Sequence, residues 1–219
     1  MANAEAHRQN RARRVVRWIV IVGVLFLTVS VYQFKGRVNS AGSLLTNANL
    51  AEAMSQKDDA GAREAFLAAY TVLIHPRCMN CHPSGDTPLQ GEDSHPHAQS
   101  VKRGPDGRGK YGMKCGACHQ LTNLPGANMP PGVPKWHLPP PTMRMTFEGK
   151  SAGDLCRQLK NPRQNGGKTL EGAIEHLEAD PLVLWGWAPG DGRSTPPLSH
   201  AEFMQKMREW VTKGGACPE

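Results

Sequence analysis

The sequence predicts a mainly α-helical domain with long irregular loops, preceded by one N-terminal transmembrane helix. Three observations support this: several segments carry helical periodicity or helix caps, 23 glycines and 18 prolines divide the rest into loops, and an apolar run lies near the N-terminus. Aromatic residues make up only 6% of the 219 residues. Because such a chain buries a small core with its own side chains, we expect an additional apolar group inside the domain.

The N-terminal segment has the charge order of a membrane anchor. Residues 1–14 are basic, and residues 15–34 form an apolar run in which 19–31 carry no charge. About 20 apolar residues are needed to span the hydrocarbon, and the arginines ahead of the run predict a cytoplasmic N-terminus. We therefore expect a single-pass anchor in a bacterial inner membrane, with the rest of the chain in the periplasm. A cleaved signal peptide has the same charge order and would export the same domain.

The remaining chain divides into a linker and an exported domain. Residues 35–60 are small and polar and predict a linker or stalk, and residues 61–219 predict the domain. A helix over 62–74 is predicted from one apolar face, formed by Phe66, Leu67, Tyr70, Leu73 and Ile74. Three further helices are predicted from N-caps at Ser151, Thr169 and Ser199, and are expected to end near Lys160, Asp180 and Gly214.

The net charge of +7 belongs to the membrane end of the chain. Residues 1–37 hold seven basic residues and one acidic residue, whereas residues 38–219 hold 19 basic and 18 acidic ones. The exported domain is therefore almost balanced in charge. Proteins that bind DNA or RNA are typically basic throughout the binding domain, so we expect no nucleic-acid partner.

Two pentapeptides of the form C-x-x-C-H stand out in the first half of the domain. They are Cys78-Met79-Asn80-Cys81-His82 and Cys115-Gly116-Ala117-Cys118-His119. This is the pattern of c-type haem attachment, in which two thiols form thioethers with one haem and the following histidine binds the iron. We therefore expect two covalently bound haem c groups, with His82 and His119 as the proximal iron ligands.

The six cysteines of the domain allow other pairings. Paired C-x-x-C motifs also bind structural zinc, but zinc ribbons separate their pairs by about 15 to 20 residues, and Cys81 and Cys115 are farther apart. Cys156 and Cys217 belong to neither motif. Outside the cytoplasm two such cysteines usually pair, so we expect a disulfide between them. A free reactive thiol is the alternative.

The ligands on the other side of the two irons do not follow from the motifs. Histidine and methionine are the side chains to consider. For one iron we expect a histidine of the loop that joins the motifs, His97 ahead of His95. For the other iron we expect Met145, with Met129 and His137 as the alternatives.

Beyond the motifs, five short segments of the domain carry a resemblance. They are HPRC (75–78), HPH (95–97), KRGPDGRG (102–109), LCRQLK (155–160) and LWGW (184–187). With these segments the sequence resembles a bacterial dihaem cytochrome c family often labelled isoquinoline 1-oxidoreductase subunit. The resemblance implies an electron-transfer role beside a molybdenum hydroxylase, not the oxidation of isoquinoline. The two closely spaced motifs are also similar to the small dihaem subunit of periplasmic nitrate reductase.

These features favour an electron carrier without a substrate of its own. We expect it to pass single electrons between a dehydrogenase or quinol-oxidising complex and another cytochrome. Two other classes stay open. One is a dihaem peroxidase-like enzyme, in which one iron keeps an open position, and the other is a haem-containing sensor or structural subunit of a larger membrane complex.

Overall fold

The computed structural model describes residues 58–219. The predicted basic N-terminus (1–14), the predicted anchor (15–34) and nearly all of the predicted linker (35–60) lie outside the described residues. Helices account for 38% of the described part and strands for 2%, so the domain is mainly helical with long irregular connections. Among the described residues, none of the helices is long and apolar enough to cross a membrane.

The regular elements lie at the two ends of the described chain. Two helices come first, then a two-residue antiparallel hairpin, and four helices follow after a long irregular segment. The helices are α1 (Asp59–Leu73), α2 (Pro76–Met79), α3 (Ala152–Lys160), α4 (Leu170–Ala179), α5 (Pro181–Trp185) and α6 (His200–Thr212), and the strands are β1 (Leu89–Gln90) and β2 (His95–Pro96). Short 3₁₀ turns at Cys115–Ala117 and Pro141–Met143 interrupt the irregular segment.

The hydrophobic core lies between α1 and α6, with α3 and α4 packed at their side. Phe66 of α1 meets Trp210 of α6 with ring centroids 4.9 Å apart, and the Trp210 indole N–H donates to the carbonyl of Ala216 at 3.1 Å. A disulfide joins Cys156 of α3 to Cys217, with the two Cα atoms 5.6 Å apart. The C-terminus is therefore tied to the same core that α1 and α6 enclose.

The buried face of α1 differs from the predicted one at Leu67. The side chains that enter the core are Ala62, Ala65, Phe66, Ala69, Val72 and Leu73, whereas Leu67 is 47% exposed. Successive residues of an α-helix point about 100° apart, so Leu67 cannot share the direction of Phe66. Three small alanines complete the stripe instead, and they let α6 approach closely.

The three predicted N-caps are present in the structure. Ser151 accepts from the N–H of Asp154, Thr169 from that of Gly172 and Ser199 from that of Glu202. At α6 the bond is reciprocal, because Glu202 accepts from the N–H of Ser199 at 2.9 Å and forms a capping box.

The capping box of α6 leads to a prediction about stability and pH. Bonds from the Ser199 hydroxyl and N–H hold the pKa of Glu202 below its ordinary value of 4.5. Their contribution to the stability of the folded protein is therefore present above pH 4.5 and is lost as the pH falls through the folded-state pKa of Glu202. Ser199→Ala is expected to lower the free energy of unfolding by about 1 kcal/mol near neutral pH. Urea titrations should show that the difference in free energy of unfolding between Ser199→Ala and wild type becomes smaller in acid. A difference that does not change with pH would show that the Glu202 carboxylate does not contribute to the cap.

The irregular segment between α2 and α3 is held by a buried arginine. Arg103 is 1% exposed, and its guanidinium donates to the carbonyls of Gly85 at 2.9 Å, of Pro83 and of Pro139. Its Nε lies 3.7 Å from a carboxylate oxygen of Asp86. One side chain therefore joins the chain that follows His82 to the chain that precedes α3.

Candidate functional site

The first C-x-x-C-H motif is built on a helical turn. His75 caps α2 by accepting from the N–H of Arg77 at 3.2 Å, and the turn continues past the helix, with Cys81 N–H bonded to the Cys78 carbonyl at 3.2 Å. Residues three apart on such a turn lie on the same side. The thiols of Cys78 and Cys81 therefore face one direction, and His82 follows immediately.

The second motif repeats this local geometry on a shorter turn. Cys115–Ala117 form a 3₁₀ turn, the N–H of Cys118 donates to the Cys115 carbonyl at 3.2 Å, and that of His119 donates to the same carbonyl at 2.9 Å. The two thiols are again three residues apart with the histidine directly after them.

His82 is held in one orientation by two later residues. Its Nδ1 lies 2.6 Å from the carbonyl oxygen of Met145, and its ring stacks on Phe147 with centroids 3.9 Å apart and planes 9° from parallel. A carbonyl oxygen only accepts, so Nδ1 carries the hydrogen and Nε2 keeps its lone pair. This is the tautomer that an imidazole needs to bind a metal through Nε2.

His119 has the same two partners, supplied by a different part of the chain. Its Nδ1 lies 2.7 Å from the carbonyl oxygen of Pro131, and its ring stacks on Trp136 at 4.3 Å with planes 4° from parallel. Trp136 in turn meets Trp185 edge-on at 5.0 Å. Both motif histidines therefore present Nε2, each fixed by one carbonyl and one aromatic ring.

His97 lies close to His119, at a ring separation that two imidazole ligands of one iron would have. The hairpin places it, because the N–H of His97 donates to the Pro88 carbonyl at 2.9 Å beside the β1–β2 pair. Its ring centroid lies 6.3 Å from that of His119. A metal–imidazole nitrogen bond is about 2 Å long, and the centre of each ring lies beyond its nitrogen. Two rings bound to one iron from opposite sides therefore have centroids about 6 Å apart.

One ring nitrogen of His97 lacks a hydrogen-bond partner. Its Nδ1 is buried, and among the described residues it has no hydrogen-bond partner. Buried polar atoms in folded proteins are normally paired. His97 and His119 therefore form a donor set that fits an iron with two imidazole ligands.

Burial governs the protonation of the first motif. It raises the pKa of the Cys78 thiol to about 12 and that of the Cys81 thiol to about 11, the latter with a contribution from the nearby Cys115. It also lowers the pKa of His82 to about 4. The motif thus presents neutral thiols and a neutral imidazole at physiological pH.

The remaining predicted ligands occupy different environments. Met145 has its side chain against the hydrophobic core and gives its carbonyl to the Nδ1 side of His82, which counts against a position across an iron from the same histidine. Met129 is 39% exposed and lies in the segment that supplies Pro131 to His119. His137 bonds through Nδ1 to the Lys135 carbonyl at 2.6 Å.

Three other histidines carry local structural bonds. His95 pairs with Asp93 at 2.7 Å, and His200 bonds through Nε2 to the Leu177 carbonyl at 3.0 Å. His176 lies 3.5 Å from Asp180.

Among residues 58–219, no three or more histidine, cysteine, aspartate or glutamate side chains converge on one metal position. Comparisons of the chain with protein families, with curated proteins and with solved structures find no match.

Proposed function

We propose that this protein is a membrane-anchored periplasmic dihaem cytochrome c that transfers electrons and has no substrate of its own. Cys78 and Cys81 would hold the first haem by thioethers and His82 would bind its iron. Cys115, Cys118 and His119 would hold the second haem in the same way. The haems supply reversible one-electron chemistry.

The observation that carries the proposal is the pair formed by His97 and His119. Their 6.3 Å centroid separation leaves room for one iron, and the ring of His119 is already oriented by Pro131 and Trp136. That orientation is independent of the C-x-x-C-H pattern. Sequence motif and folded geometry therefore point to the same group.

The protein residues have three tasks in this function. The carbonyls of Met145 and Pro131 hold the hydrogen on Nδ1 of the two proximal histidines, which raises the basicity of Nε2. Phe147 and Trp136 fix the planes of the two rings and exclude water from them. The hairpin brings His97, from the chain after the first motif, to the second motif, and so couples the positions of the two groups.

As the second ligand beside His82 we propose His137 ahead of Met145 and Met129. The Nδ1–carbonyl bond of His137 repeats the arrangement of His82 and His119. Met145 would first have to leave the core against which it packs.

The assignment of His97 is tested by its replacement with alanine. His97→Ala is expected to convert one of the two haems from low-spin to high-spin and to create one carbon monoxide site per molecule, because an iron position becomes open. His95→Ala is the matched control, two residues away on the same hairpin, and its absorption and electron paramagnetic resonance spectra should be those of wild type. Low-spin spectra for both haems in His97→Ala would remove the assignment.

Spectra of the wild-type protein separate the carrier from the other two classes. Two six-coordinate haems that bind neither carbon monoxide nor peroxide support a carrier between a dehydrogenase or quinol-oxidising complex and another cytochrome. A five-coordinate iron that reacts with peroxide would favour a peroxidase-like enzyme, and one that only binds a gas would favour a sensor. The second histidine on one iron is the reason to prefer the carrier.

A further inference from the structure

The nearly balanced charge of the domain conceals a strong separation of sign. Residues 107–147 hold five basic residues and no acidic one, whereas the other described residues hold 13 basic and 17 acidic ones. The five basic residues are Arg108, Lys110, Lys114, Lys135 and Arg144. One segment of the domain is therefore strongly positive and the remainder is negative.

This basic segment is the one that surrounds the second motif. The N–H of Cys115 donates to the Arg108 carbonyl at 3.1 Å, and the partners of His119, Pro131 and Trp136, belong to the same segment. Arg108, Lys110 and Lys114 precede Cys115 in sequence and Lys135 is adjacent to Trp136, so four of the five positive charges belong to the surroundings of the second motif. Lys114 lies 3.7 Å from Asp106, and Arg144 pairs instead with Asp86 at 3.0 Å.

The surface at the second motif is also apolar and open. Tyr111 is fully exposed, Leu121 is 71% exposed and Met113 is 44% exposed. Cys118 is itself exposed, whereas Cys115 is partly covered, as are Cys78 and Cys81 of the first motif. Exposed apolar side chains beside a group of basic ones are typical of a surface that contacts another protein.

We propose that the surface formed by residues 107–122 docks an acidic electron-transfer protein, and that electrons pass to and from that partner through the second haem. The inference rests on the proposed function. In each transfer one electron leaves the reduced iron of one protein and the oxidised metal centre of the other takes it up. Opposite charges would speed the encounter, and the three apolar side chains would form the contact.

A protein partner fits these observations better than a membrane or a nucleic acid. A basic surface that only meets phosphates is expected to spread lysines and arginines without a central apolar group. Here Tyr111, Met113 and Leu121 lie within four residues of the motif cysteines. The regular structure of this surface is a three-residue 3₁₀ turn, whereas basic surfaces that insert apolar side chains into lipid usually present them on an amphipathic helix.

The test uses the two-haem protein and two blue-copper proteins of similar potential, one acidic and one basic. Lys110→Glu is compared with Arg163→Glu, which reverses an exposed charge in the connection between α3 and α4, outside residues 107–122. In stopped-flow reduction of the oxidised copper, Lys110→Glu is expected to lower the rate constant with the acidic protein by about three- to ten-fold at low salt. Arg163→Glu should leave that rate unchanged, and the basic protein should react faster with Lys110→Glu than with wild type.

Each outcome of this test is informative. Equal rates for wild type and Lys110→Glu, in protein shown to hold two haems, would overturn the docking surface and leave the electron-carrier function standing. The two-haem protein could instead bind vesicles of phosphatidylglycerol through residues 107–122. Loss of that binding in Lys110→Glu, with an unchanged electron-transfer rate constant, would assign the surface to the membrane. Absence of haem from the purified protein would remove the proposed function itself.

Discussion

The variant Cys115→Ala/Cys118→Ala is expected to carry half the haem of the wild-type protein. Without either thiol the second haem cannot form a thioether, and histidine ligation alone does not retain it through maturation and purification. The second motif lies at an exposed turn outside the core, so the polypeptide should still fold. Haem absorbance per polypeptide, measured after denaturation in alkaline pyridine, should fall to about half, with the first haem retained.

A second cysteine pair supplies the control for this experiment. Cys156→Ala/Cys217→Ala removes two cysteines that belong to the disulfide and to neither motif, and it should keep both haems while lowering stability. The reciprocal variant Cys78→Ala/Cys81→Ala should also lose one haem, with a larger loss of stability because Cys78 packs against the hydrophobic core. Full haem content in either motif variant contradicts covalent attachment at that motif.

Replacing Arg103 by methionine is expected to cause the largest loss of stability among single substitutions outside the core. The change leaves the carbonyls of Gly85 and Pro139 without their donor inside the protein, and the Pro83 carbonyl keeps only the Thr146 hydroxyl at 3.5 Å. Buried groups that lose their only partner cost about 1 to 3 kcal/mol each, and partial access of water reduces the sum. We expect the free energy of unfolding to fall by about 3 kcal/mol, measured by urea denaturation of the two-haem protein.

Arg144 is the matched control for Arg103, because both guanidiniums approach Asp86. Arg144 lies 3.0 Å from the Asp86 carboxylate but its side chain is 39% exposed, so Arg144→Met should cost no more than about 0.5 kcal/mol. Arg103→Lys keeps the positive charge but loses the planar guanidinium, so its loss of stability should lie between those of Arg103→Met and Arg144→Met. Equal losses for Arg103→Met and Arg144→Met would show that the carbonyl bonds contribute little.

Local sequence patterns predicted the helices well where a cap or a periodic face marks them. The three caps at Ser151, Thr169 and Ser199 depend on contacts within three residues, and all three are present. Helices α2 and α5 were not predicted, because four or five residues are too few to show a period. Leu67 was placed on the wrong face because the alanines that form the real stripe give a weak hydrophobic signal.

The candidate site divides in the same way between local and distant contacts. Cys78, Cys81 and His82 are adjacent in sequence, as are Cys115, Cys118 and His119, so the motifs are visible without a structure. Their supporting groups are not: the carbonyl of Met145 reaches His82 across 63 residues of chain. The proline-rich segment has no periodic pattern from which this contact, the stacking of Trp136 on His119 or the burial of Arg103 could be predicted.

The intact mass of the mature protein, expressed in a bacterium that attaches c-type haem, tests the central claim most directly. We predict a mass above that of the polypeptide, with or without residues 1–34, by two haem groups that survive denaturation. A mass equal to the polypeptide alone, or a product that holds zinc in place of iron, would contradict the account.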